Sequence, residues 1–180
     1  MKLDPVIGVL IVASFAILFA SAAVHKLRDL RRFDEIFSAY GLLPPSAGLR
    51  VSWAIPVLEI GVALGLLASA VRAVAGGIGI VLLLGYAAAM AVNLRRGRRD
   101  IACGCGGPDE RRPIAAWMAW RNLALALLLA LALWPWSARA LLMTDALTIS
   151  CGLAATVLIY LCLDRLGQVA RRTKALQGLR

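Results

Sequence analysis

Acidic residues are scarce in this chain, histidine is nearly absent, and extended polar stretches are missing. Ten Asp and Glu stand against twenty Lys and Arg, there is one histidine, and aromatics are 7% of 180 residues. Each shortage excludes something. A formal charge of +10 without aromatics interleaved on a soluble face is not a nucleic-acid surface. One histidine and four cysteines are a poor supply for zinc, which commonly takes four ligands from paired Cys and His. No haem-binding pair, flavin fingerprint or quinone motif is present, so no cofactor is identifiable; a membrane quinone would be admitted only as an electron acceptor without a motif. No linker, low-complexity tract or repeat divides residues 1–180, so a single domain is expected.

What the chain does have is apolar residues, 61% of the total, with only 17% charged. Soluble domains are nearer half apolar and a quarter charged. A helix needs roughly 20 apolar residues to cross the hydrocarbon, and five stretches qualify: 5–24, 51–71, 73–94, 114–136 and 140–163. The alternating segments of an outer-membrane barrel are lacking. The fold expected is all-α, a membrane bundle of five spans with four in the core plus one. The first stretch reads as a span rather than a secretory signal, because its apolar run is too long for a signal core. Glycine and alanine crowd the third, as where helix backbones approach closely.

Basic residues concentrate in alternate connections. Lys26, Arg28, Arg31, Arg32 and Arg50 occupy the first; Arg95, Arg96, Arg98, Arg99, Arg111 and Arg112 the third; and Arg165, Arg171, Arg172, Lys174 and Arg180 the tail. The positive-inside rule then places the N-terminus outside and the C-terminus inside a multi-pass bacterial cell membrane. Anionic headgroups are the expected counter-charge. Between His25 and Pro45, Leu27, Leu30, Phe33, Ile36 and Phe37 recur at helical spacing among charges. This segment is expected to lie along the membrane surface, as an anchor or as a lid over the third connection.

That connection carries the chemistry: Cys103-Gly104-Cys105, followed by Gly106-Gly107-Pro108. Cysteines at i and i+2 bridge only across a sharp turn, which Gly104 permits. A ring that small is expected to be labile, and the nearby Arg98, Arg99, Arg111 and Arg112 favour thiolate. The pair reads as a redox couple, with a structural bridge and a metal ligand pair as alternatives. Cys151 and Cys162, eleven residues apart on one helix, read as packing residues. Beneath the loop, Glu59 and Arg121 fall at similar depth, about 10–12 Å from one face. They are expected to pair, and with His25, Asn93 and Asn122 to form a polar pocket, since each is costly in hydrocarbon.

The order Ser21-Ala22-Ala23-Val24-His25-Lys26-Leu27, Phe33, Leu42-Leu43-Pro44, Ile55-Pro56-Val57-Leu58-Glu59, Cys103-Gly104-Cys105 and Arg121-Asn122 resembles the MauE family. These are membrane proteins of methylamine-utilisation clusters, related to the DoxX-like redox-associated proteins. The resemblance covers about residues 20–131 and departs at Gly106, where the family pattern leads one to expect an aromatic. It implies help in maturing the disulfide-rich β-subunit of periplasmic methylamine dehydrogenase, with a thioredoxin-like MauD-type partner. Two other readings compete: a non-redox scaffold for that partner, and a small-solute transporter through the Glu59/Arg121 pocket, which lacks an inverted repeat. The implied client is periplasmic, whereas the charge count puts the cysteine loop on the cytoplasmic side.

Overall fold

The computed structural model describes residues 2–42, 44–104, 113–137 and 139–177, leaving aside the helical side chains of 45–49, 160 and 163–177. Six helices make up the regular structure of these residues: α1 (Pro5–Arg28), α2 (Leu30–Ala39), α3 (Pro45–Leu67), α4 (Arg72–Arg95), α5 (Ala116–Ala132) and α6 (Met143–Gln177). Asp4 caps α1 by accepting from the Val6 N–H, with Pro5 in the first turn where its missing N–H costs nothing. Asp29 breaks the chain between α1 and α2 and caps the latter through the Arg32 N–H.

Pro5–Arg28, Arg50–Leu67 and Arg72–Arg95 are long and apolar enough to cross a membrane. The other two expected spans contain shorter apolar helices, Ala116–Ala132 and Met143–Ile159. Each of these is about 25 Å long, at the lower end of what spans the hydrocarbon. Short helices and tight turns fix the neighbours. Residues 68–71 close the α3–α4 hairpin, and Arg72, between the stretches expected over 51–71 and 73–94, opens α4. Its Nε donates to the Leu66 carbonyl and its guanidinium lies 4.3 Å from the Trp136 ring centre.

Helices α1, α3, α4 and α5 form the core, and α6 packs on α1 from outside, where Gly152 meets Leu10. The glycine-rich stretch of α4 does what its composition implies. A Cβ at Gly76 would lie 2.6 Å from Leu133, and one at Gly79 would lie 3.1 Å from both Leu129 and Val62. Without a hydrophobic drive between helices in lipid, such close backbone approach is what holds them. Phe15, Phe19, Val62, Leu66, Leu83 and Leu129 fill the centre. A second cluster, of Tyr40, Met90, Ile114 and Met118, closes the end where α2 and the cysteine loop lie.

Candidate functional site: a cysteine loop above a buried ion pair

The inward face of α1 runs Val12, Phe15, Ala16, Phe19 and Ala23, and continues one turn further to Lys26. Lys26 is therefore buried rather than a loop charge. Its Nζ lies 2.5 Å from Glu59 Oε1 on α3, with the two side chains 4% and 1% exposed. The Tyr86 hydroxyl of α4 donates to the same oxygen at 2.7 Å. Lys26 Nζ also faces two rings, 5.3 Å from the centre of Tyr86 and 5.5 Å from that of Phe33. Two charges at membrane depth are tolerable only when paired and hydrogen-bonded, and these side chains supply that.

This arrangement corrects the expected pairing of Glu59 with Arg121. Packing of α1 against α3 brings Lys26 to the carboxylate first. The Arg121 guanidinium lies instead 5.4 Å over Trp117 on its own helix, and its Nε has no partner. The antiparallel α4–α5 register, set by Gly76 with Leu133 and Gly79 with Leu129, places Tyr86 level with Asn122 two turns along. Asn122 is buried there with its Nδ2 unpartnered, as is Glu59 Oε2. Asn93, two turns nearer the loop, is fully buried and donates to the Ala89 carbonyl. His25 is only half-buried; the inward position belongs to its neighbour Lys26.

Above this layer the cysteine loop is gathered at its base, where the Ile114 N–H donates to the Ile101 carbonyl and Ala102 bridges to Pro113. Cys103 is disulfide-bonded, whereas Cys151 and Cys162 are free thiols exposed on α6. Cys105, Arg111 and Arg112 lie outside the described residues. Gly104 adopts φ +66°, the left-handed conformation that its sequence position suggested.

The start of the loop is held down rather than open. Cys103 packs on the Tyr40, Met90, Ile114 and Met118 cluster, and the Tyr40 hydroxyl donates to its carbonyl at 3.2 Å. Burial pushes the Tyr40 phenol up to about 12, so it stays a neutral donor across ordinary pH. A Cβ on Gly104 would stand 3.0 Å from Ile36 Cγ2 and 3.8 Å from Phe33 Cε2. Phe33 therefore touches both the loop glycine and, across its ring, the Lys26 ammonium. Ser52 of α3 donates to Asp34 at 2.8 Å and fixes α2 on the bundle. Tyr40 and Ile36 thus bring α2 onto Cys103 and Gly104, the first residues of the cysteine loop.

Apolar helices of spanning length, packed around a buried charged layer with a cysteine loop at one end, define a helical membrane bundle. Comparison with known proteins gives the family. Residues 4–135 match the one described as Methylamine utilisation protein MauE. Methylamine utilization protein MauE of Paracoccus denitrificans is 37% identical over 153 residues, 84% of this chain and 82% of its own. The protein of the same name from Methylophilus methylotrophus is 32% identical over 163 residues, 89% of this chain and 86% of its own. No solved structure matches. The chain belongs to the MauE family.

Proposed function

We propose that this protein serves methylamine utilisation from the bacterial cell membrane, by thiol–disulfide exchange that helps mature the β-subunit of methylamine dehydrogenase. The carrying observation is the disulfide at Cys103, next to a glycine at positive φ, while the two other described cysteines are free. The partner implied by the family is a thioredoxin-like protein. Its thiolate attacks one sulfur of the disulfide at Cys103, which on this reading pairs with Cys105; that S–S bond breaks, a mixed disulfide forms, and the leaving sulfur departs as a thiolate. The partner's second thiolate then displaces the first sulfur, which leaves this chain as a dithiol and the partner as a disulfide. No further redox reagent enters this turn, and the same steps run in reverse.

The protein's own residues set the geometry of the exchange. Tyr40 holds the Cys103 carbonyl, and Phe33 and Ile36 seat Gly104. The Lys26–Glu59–Tyr86 layer supports Phe33 from beneath. The test is to trap the partner with Cys103→Ser and Cys105→Ser singly. A reducible adduct on a non-reducing gel is expected from one of them. If neither traps and the double serine variant still yields correctly cross-linked, active client, the exchange is refuted and a scaffold role replaces it.

A further inference from the structure

With Glu59 given to Lys26, Arg121 keeps a full charge inside an apolar helix and has no acidic partner among the described residues. An unpaired guanidinium at this depth must find an anion or reach water. Arg121 lies one and a half turns from the start of α5, about 7–8 Å along its axis, at the cysteine-loop end. Helical side chains lean toward the N-terminus, so this one leans back toward that interface, over Trp117 one turn earlier. Trp117 and Trp120 are exposed on the same flank, as indoles are where the apolar core meets the headgroups. Two turns below Arg121 the helix presents exposed Leu128, with Leu131 beside it, a strip for acyl chains.

We infer that Arg121, steadied by Trp117, binds the phosphate of an anionic membrane lipid at the cysteine-loop end of the bundle. A guanidinium fork matches phosphate oxygens better than an ammonium does. The surrounding field has the right sign. Arg95 at the end of α4 and Arg96, Arg98 and Arg99 just past it are exposed, beside where α5 begins. The α5 N-terminus adds its positive dipole end, with neither an acidic residue in its first turn nor a side-chain cap. The apolar strip below Arg121 makes a lipid, rather than free phosphate, the ligand.

The full chain in neutral detergent decides this by thermal melting and native mass spectrometry. Phosphatidylglycerol, phosphatidylcholine and inorganic phosphate are added separately. Phosphatidylglycerol is expected to raise the wild-type melting temperature by several degrees more than phosphatidylcholine, and to persist as an adduct several-fold more abundant. Inorganic phosphate should do neither. Arg121→Gln should abolish the difference between the two lipids, Arg121→Lys should keep part of it, and Trp117→Leu should reduce it in a chain that retains the charge. A variant with Arg95, Arg96, Arg98 and Arg99 all changed to Gln should keep the preference. The inference is overturned if phosphatidylcholine serves equally well, if inorganic phosphate reproduces the effect, or if the four surface arginines carry it and Arg121 does not.

Discussion

The buried pair is the residue-scale feature with the largest energetic consequence. Glu59→Gln leaves the Lys26 ammonium facing an amide at membrane depth, and is expected to cost on the order of 3–5 kcal/mol. In detergent it should melt well below wild type, and Lys26→Met combined with Glu59→Gln should recover part of the loss. Equal melting of wild type and Glu59→Gln would deny the pair its structural role. Tyr40 gives a second measurement. Its phenol is pushed up to about 12 from 10.0 because ionised oxygen is disfavoured where it is buried. A raised value means that the neutral form is the one the fold favours. The stabilisation is therefore intact below pH ~10 and is lost as pH rises toward ~12, about 2–3 kcal/mol in all. Phenolate absorbance should lose a component that titrates near 12 when Tyr40→Phe is made; an unchanged titration would contradict the placement. The charge partner itself was only half legible in the sequence. Glu59 stood out as a lone carboxylate in an apolar run, but Lys26 follows His25 among loop charges. Its seat shows only when the stripe of Phe15, Phe19 and Ala23 is continued one turn.

At the scale of the element, α2 and the cysteine loop form one unit. The alternation of Leu30, Phe33, Ile36 and Phe37 with charges gives an amphipathic helix from sequence alone. What it lies on depends on contacts between residues some seventy positions apart, which no local pattern carries. Gly104 joins the two pieces, and its replacement is a clean probe. Gly104→Ala puts a side chain at φ +66°, costing about 1–2 kcal/mol, and pushes a methyl into Ile36. The loop should lift from α2, so after reduction Cys103 should alkylate several-fold faster in Gly104→Ala than in wild type. Pairing this change with Ile36→Ala makes room for the methyl and should return part of the protection. No change in alkylation rate would mean that α2 does not cover the cysteine.

For the whole molecule, apolar run length carried most of the architecture, because a bilayer leaves helices few alternatives. The boundaries shifted where proline and turns decided them: α3 begins at Pro45 and ends at Leu67, ahead of the span expected over 51–71. Which face of the membrane receives the cysteine loop is a separate matter, and here the structure supplies a constraint. Because Tyr40 donates to Cys103, α2 and the loop share one side of the bundle. A reporter on α2 therefore reads the side of the thiols without touching them. With the native cysteines replaced by serine, Ser38→Cys on the exposed face of α2 is the position to label. Arginines at Arg28, Arg31, Arg95, Arg96, Arg98 and Arg99 are exposed at this end, so the positive-inside rule puts it in the cytoplasm. An impermeant maleimide should leave intact cells unlabelled and react once they are permeabilised. Labelling of intact cells would reverse the orientation and place the loop on the periplasmic side, where the partner proposed above would meet it directly. Protection in intact cells would place the loop on the cytoplasmic side, where the exchange proposed above would have to meet its thiol partner.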